Sequence, residues 1–351
     1  MLDSSLVPQL KFLYYLTLKR KEGAASVKWL LRYWRMETNK PVIIAVDTGN
    51  KLIKTVNTSF VAGIEQIPES LKALSNPMDT IHYNGDAYSI GLSRTLWERD
   101  KTKNSTYLIL TLLAVAKEIA FRKLPTELDV VLVIGLPPGH LREETIVEKY
   151  RKYYLSNGGE YRFLCGDKRH RVKVKDVIVC PQNYSAVMTL SESIVMLPSL
   201  YLIDIGGGTS DTVHFEYSKS DNREVSLDLG VIVMYSEVTK KLDAKFGRKI
   251  SETKVDDILL RGDYTHYDAE HIQLVHDVAE QHIRTILGKH KDLGMDLASA
   301  HVVFLGGGSM LLKKQIQAVA SEFCGGLAVL NDIHANAKGY ELFARIKLAS
   351  V

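Results

Sequence analysis

One short pattern occurs twice in this chain and constrains its fold more than any other feature. An apolar strand carries an aspartate at its end and runs straight into a glycine-bearing turn. Pro41–Val46 leads into Asp47-Thr48-Gly49-Asn50, and Ser199–Ile205, carrying Asp204, leads into Gly206-Gly207-Gly208-Thr209-Ser210-Asp211. Glycine has no Cβ and tolerates positive φ, so such turns let backbone N–H groups come close to an anion. One turn of this kind is weak evidence, because many hairpins contain glycine. Two, each behind an aspartate on a buried strand, suggest a clamp on one polyphosphate. Each aspartate can also hold Mg²⁺ through water, since this ion keeps much of its hydration shell and favours carboxylate oxygen.

A third glycine run, Leu305-Gly306-Gly307-Gly308-Ser309, ends the strand His301–Leu305 and precedes a helix expected over Met310–Ala320. It can set backbone amides beside a phosphate or nucleoside. It lacks GxGxxG spacing, and no GxxxxGK[ST] occurs, so dinucleotide and P-loop sites are poor readings.

Strands and helices alternate between these landmarks. Lys51–Asn57 continues the first hairpin, and residues 58–105 read as polar and irregular, with a turn at Asn84-Gly85. Helices are predicted over Thr106–Arg122, Leu141–Leu155, Ser185–Met196, 231–246, 251–260, 267–288 and Asn336–Lys347. Strands are predicted over Asp129–Gly135, Arg171–Val179, Thr212–Tyr217 and Arg223–Leu229. The repeated strand–Asp–Gly theme points to two related α/β halves.

The chain has 351 residues, with ample apolar material for about two domains. Three widely spaced cysteines, Cys165, Cys180 and Cys324, exclude a disulfide framework and a CxxC metal site. The longest apolar stretch, Tyr107–Phe121, is too short for a membrane span and carries Lys117 and Glu118. Residues 1–40 hold eight Lys/Arg and three acids, a net of +5, whereas the whole chain is +4. The body is therefore near neutral and gives no electrostatic sign of a nucleic-acid groove. Val27, Leu30, Leu31 and Trp34 share one helical face in that basic extension. It can dock on the body or a neighbouring subunit, touch an anionic membrane, or precede a true start at Met36. The histidines show no metal-ligand spacing; His266, His271, His276 and His282 read as surface or groove residues.

Taken together, Val46-Asp47-Thr48-Gly49, Asp204-Ile205-Gly206-Gly207-Gly208-Thr209 and Leu305-Gly306-Gly307-Gly308 resemble the first phosphate, second phosphate and adenosine motifs of the actin/Hsp70/sugar-kinase ATPases. The opening DTGN…K, the segment Val131–Pro138, the Pro181-Gln182-Asn183 turn and Ala335-Asn336-Ala337-Lys338-Gly339 look most like bacterial actin-like proteins of the ParM/StbA type, which segregate plasmids. The resemblance covers about residues 41–351. It implies an actin-like fold, with domain I at 41–198 closed by a C-terminal helix 334–351, domain II at 199–333, and the extension 1–40 outside both.

The resemblance also implies roles. Asp47 and Asp204 would organise Mg²⁺ through water and, with Gln182, form the catalytic set, Gln182 orienting the attacking water. Lys54 would reach the β- and γ-phosphates, with Lys51 as its rival. Gly49 and Asn50 would line one phosphate loop; Gly206, Gly207, Gly208 and Thr209 would line the other, with Asp211 orienting water or bracing that hairpin. Gly306, Gly307 and Gly308 would approach the α-phosphate and nucleoside. Glu237, Lys240 and Lys241 would meet base and ribose. The implied protein is a cytoplasmic filament former that hydrolyses Mg-ATP, though the same motifs would grip GTP. It would reach plasmid DNA through a centromere-binding adaptor rather than directly. The rivals are a membrane-associated cell-shape actin, touching lipid through residues 1–35, and a small-molecule kinase of the same superfamily.

Overall fold

A computed structural model gives the architecture. It describes residues 41–68, 79–91, 94–95, 98, 100–190, 194, 197–216, 223–262, 265 and 267–349. The amphipathic helix expected in residues 1–40 lies outside them.

Two sheets organise the chain. The first contains β1 (Val42–Thr48), β2 (Leu52–Lys54), β3 (Ser59–Val61), β4 (Ile64–Gln66), β5 (Thr80–Tyr83), β6 (Asp86–Ile90), β7 (Glu127–Leu136), β8 (Glu160–Cys165) and β9 (Lys168–Pro181). Their spatial order is β3-β2-β1-β7-β9-β8-β5-β6-β4. The second contains β10 (Ser199–Ile205), β11 (Ser210–Glu216), β12 (Arg223–Leu227), β13 (His301–Leu305) and β14 (Gly326–Val329), in the order β12-β11-β10-β13-β14. In each sheet an antiparallel three-strand meander leads, through its first strand, into a parallel pair. The first five strands of the large sheet thus repeat the order of the small one.

The longer helices are α1 (Thr106–Arg122), α2 (Glu144–Tyr154), α3 (Val231–Phe246), α4 (Ala269–Asp292) and α5 (Ala335–Ala349). Successive side chains of a strand point to opposite faces, so a sheet covered on both sides needs continuous apolar strands. β1 shows this directly. Ile44 and Val46 enter the core formed with α1, while Ile43 and Ala45 pack with Tyr340, Phe343 and Ala344 of α5. In β10, Tyr201, Ile203 and Ile205 join the core of α3 and α4, and Leu200 and Leu202 face the other way.

Helix α1 is buried along most of its length, and that accounts for its nearly all-apolar sequence. Its Glu118 is fully buried and is satisfied by Thr55 Oγ1 at 2.5 Å, Asn57 Nδ2 at 2.6 Å and Arg122 Nε at 2.5 Å. Arg122 also pairs with Glu341 of α5. Among the described residues no helix is long and apolar enough to cross a membrane.

Several expected elements differ. Residues 58–105 are not irregular throughout but carry β3–β6, strands of three to five residues that are too short and too polar to show a period. Their Asn84-Gly85 turn has positive φ at both residues, as a tight hairpin turn requires. β8 and β14 are further strands beyond those the sequence predicts. The helix expected over Leu141–Leu155 is two pieces, Pro138–Leu141 and α2. That over 251–260 passes from Glu252–Asp256 into a π-turn at Asp257–Arg261. The helix expected over Ser185–Met196 starts as one turn, Tyr184–Val187, and is interrupted at 188–190; Ile194 is helical again, and 191–193 and 195–196 lie outside the described residues. The third glycine run does not precede its helix but forms the first turn of it, Gly306–Leu311.

Candidate functional site

The two hairpins are built alike at atomic detail. Asp47 sits directly across from Lys54 in the β1–β2 pair, and Asp204 directly across from Asp211 in the β10–β11 pair, a spacing of seven residues in both. Each therefore closes a four-residue loop, 49–52 and 206–209. A Cβ on Gly49 would meet the carbonyl oxygen of Leu52 at 2.6 Å, so the first loop needs glycine there. The loops also touch each other: a Cβ on Gly207 would stand 3.0 Å from the backbone nitrogen of Lys51.

Both loops open on one cavity of about 560 Å³, within the range typical of small-molecule sites. Asp47, Gly49, Asn50, Lys51, Lys54, Gln182, Asp204, Gly206, Gly207, Gly208, Thr209, Asp211, Gly307 and Gly308 all line it. The structure thus gathers most of the sequence-predicted residues around one volume.

The charges form a graded set. Lys54 Nζ lies 2.8 Å from Asp47 Oδ2, with both side chains almost wholly buried. Burial pulls the Lys54 ammonium down, but Asp47, then Asp204, hold it above the ordinary lysine range. Asp204 accepts a 2.9 Å hydrogen bond from Asn336 Nδ2. Burial pushes its carboxyl up to about 6, with Asp47 and Asp211 adding to the rise and Lys54 opposing it. Burial also raises Asp211, whose oxygens accept from Ser226 Oγ at 2.5 Å and Thr209 Oγ1 at 2.8 Å. Lys51 takes a different course. It leaves the first loop to pair with Asp256 at 2.8 Å, beside the Tyr235 hydroxyl.

Gln182 follows β9, and its Nε2 is 3.5 Å from the Gly135 carbonyl oxygen. The next residue, Asn183, has φ 64° and ψ −54°, while Tyr184 N–H donates to the Gln182 carbonyl at 2.7 Å. That is a γ-turn of the strained hand, which a buried asparagine keeps only if its surroundings hold it. They do so here. Asn183 Nδ2 donates to the Asp211 carbonyl at 3.0 Å, and its N–H donates to Asn336 Oδ1 at 3.2 Å. Asn336 of α5 therefore ties the Gln182 turn to Asp204. In the sequence Asn183 and Asn336 are only points of family likeness, because their roles depend on contacts between distant segments.

Four predicted residues do not reach the cavity. Gly306, at φ 89°, is buried beneath Asp204, where a Cβ would collide with Asp204 Oδ1; it makes room for that carboxylate rather than for a ligand. Glu237, Lys240 and Lys241 lie on the outer side of α3, since its inward stripe is Val231, Met234, Tyr235, Val238 and Leu242. Glu237 and Lys241 instead pair with each other at 3.6 Å. Asp256 and Leu260 line the cavity on that side. His271 and His282 are not surface residues but are buried on the inward side of α4; His266 lies outside the described residues.

The donor set fits a hydrated Mg²⁺ held jointly with phosphate. Asp204 is a buried carboxylate that its lysine neighbour does not fully neutralise, and Asp47 and Asp211 stand near it. Among the described residues no cluster of three or more Asp, Glu, His or Cys forms a protein-only metal cage. Mg²⁺ in phosphate sites takes only one or two carboxylates and keeps waters.

Residues 45–184 match the family described as the N-terminal domain of actin-like proteins. No curated protein matches the sequence. The fold is similar to that of Ta0583, an archaeal actin homologue solved with ADP, at 17% identity and TM-score 0.64 over 87% of this chain and 99% of that one. It is similar to Alp12 in a filament structure, at 16% identity and TM-score 0.60 over 88% and 98%. It is also similar to Bacillus thuringiensis ParM with ATP, at 17% identity and TM-score 0.57 over 89% and 100%.

Proposed function

We propose that this chain, which has the actin-like fold, is a filament-forming ATPase that segregates plasmid DNA through a centromere-binding adaptor. The observation that carries this reading is the pair of matched Asp hairpins whose loops open on one cavity beside Gln182. Similar structures hold ATP or ADP, and one is a filament, which supports both the ligand and the self-association.

The roles follow from the chemistry. Lys54 offsets charge on the terminal phosphates while holding Asp47 in place. Gly207 and Gly208 allow the backbone of the second loop to approach phosphate oxygens closely. Gln182 orients the attacking water; a strong base is not required, because phosphoryl transfer depends mainly on positioning and charge stabilisation. Asp47 and Asp204 would hold Mg²⁺ through water, and the bound ion supplies charge neutralisation across the phosphates. Subunit contacts complete the water-positioning site, so hydrolysis follows assembly. The near-neutral body favours an adaptor over direct DNA contact.

The test is phosphate release measured against protein concentration. Turnover per subunit should rise above a critical concentration, because assembly completes the site. Phosphate release per subunit that is independent of concentration, with ADP formation that depends on an added hydroxyl acceptor, would instead mark a small-molecule kinase, because the phosphoryl group then goes to the acceptor and not to water.

A further inference from the structure

The segment before α1 places a third lysine in the cavity. Lys101 lines the same volume as Asp47 and Lys54, yet it belongs to none of the three glycine motifs. Its loop is built to hold it. Asp100 Oδ1 accepts from Thr102 N–H at 3.1 Å and Thr102 Oγ1 at 2.6 Å, while Asp100 Oδ2 pairs with Lys149 at 2.6 Å. Lys101 N–H donates to Tyr150 Oη at 3.4 Å. The ammonium lies 5.1 Å from the centre of the Tyr107 ring and donates to the Thr48 carbonyl, next to Asp47. Tyr107 in turn donates to Asn50 Oδ1 at 3.2 Å, so one segment supports both the lysine and the first loop.

The partners of the other cavity lysines set Lys101 apart. Lys54 is committed to Asp47 and Lys51 to Asp256, whereas no described carboxylate lies within ion-pair distance of Lys101. A partly buried ammonium with only a carbonyl acceptor and an aromatic ring is under-compensated, and it retains donors for an anion. Its position beside Thr48 puts that anion at the Asp47 end of the cavity.

We propose that Lys101 is a phosphate ligand that binds the terminal phosphate of the nucleotide and so distinguishes the triphosphate from the diphosphate. The inference rests on the nucleotide reading above and adds a residue that the glycine motifs do not contain. Burial lowers the Lys101 ammonium to about 8, which still leaves it mainly charged at neutral pH.

The experiment is an equilibrium titration of the wild-type chain, Lys101→Gln and Lys101→Arg with fluorescent ATP and ADP in Mg²⁺, below the assembling concentration. A charge-assisted phosphate contact predicts about a tenfold or greater loss of ATP affinity in Lys101→Gln. ADP affinity should change less than about threefold, and Lys101→Arg should restore most of the ATP affinity. The ligand-free Lys101→Gln chain should melt at or above the wild-type temperature, because the substitution removes an under-compensated charge. Unchanged ATP affinity in Lys101→Gln overturns the proposal. So does an equal loss for both nucleotides, or a lowered ligand-free melting temperature, which would mark a structural lysine. A wild-type chain that binds neither nucleotide defeats the underlying reading, and this proposal with it.

Discussion

Asp204 carries its charge at neutral pH against the pull of burial. Its folded-state carboxyl sits at about 6, above the ordinary aspartate value of 3.8. The unfolded chain therefore loses this proton first, and the ligand-free fold loses stability as pH rises from about 4 to about 6, by up to about 3 kcal/mol. Asp204→Asn should remove that cost. At pH 7 the ligand-free variant is expected to be about 1–2 kcal/mol more stable by denaturant titration, with the difference vanishing below about pH 4. ATP hydrolysis should fall at least about a hundredfold, since the variant lacks a carboxylate proposed to organise Mg²⁺. A less stable variant at pH 7 would mean that Asp204 is a structural hydrogen-bond acceptor first. The strand ends made Asp47 and Asp204 legible in the sequence, because each stands where a buried strand meets glycine. Lys101 was not legible, since its loop is distant from every motif and only the folded chain brings it beside Thr48.

Elements were read best where the pattern was long. Helix α1 was anticipated over its full span, Thr106–Arg122, because an apolar run of that length, interrupted by charges, fits a buried helix. The short strands β3–β6 were missed, since three to five residues at a polar edge carry too little alternation to register. The helix run of α4 hid a different property. His282 and His290 are buried on it, and His290 Nε2 lies 2.6 Å from Thr212 Oγ1 in β11. Burial lowers His282 to about 4 and also lowers His290. The unfolded chain takes up protons on these rings first, so the fold is fully stabilised above about 6.5 and weakens as pH falls toward about 4. His282 alone accounts for up to about 3 kcal/mol of that loss. His282→Gln should flatten the pH dependence of the melting temperature between pH 6.5 and 4. An unchanged profile would show that His282 titrates as it does in the unfolded chain.

On the scale of the whole molecule, ion pairs link segments before residue 150 with segments after residue 220 on either side of the cavity. Lys51 and Arg94 reach Asp256 and Glu252 at 2.8 and 3.0 Å, and Arg142 reaches Glu224 at 2.7 Å. Tyr184 donates to the same Glu224 at 2.7 Å. Such partly exposed pairs contribute little individually, typically about 0.2–1 kcal/mol each. A ligand that touches both loops therefore adds contacts between the two sides of the cavity that are comparable to these pairs. The repeat of strand–Asp–Gly in the sequence foreshadowed the matching strand order of the two sheets. It did not show which lysine pairs across the cavity, because Lys51 and Lys54 differ only in where the hairpin register sends them.

Ninety-degree light scattering of the purified full chain, with Mg-ATP, with Mg-ADP and without nucleotide, tests the central claim most directly. The proposed function predicts scattering that rises with Mg-ATP above a critical concentration and decays as phosphate is released, with little signal from the other two samples. Nucleotide binding with flat scattering at every protein and salt concentration would contradict it.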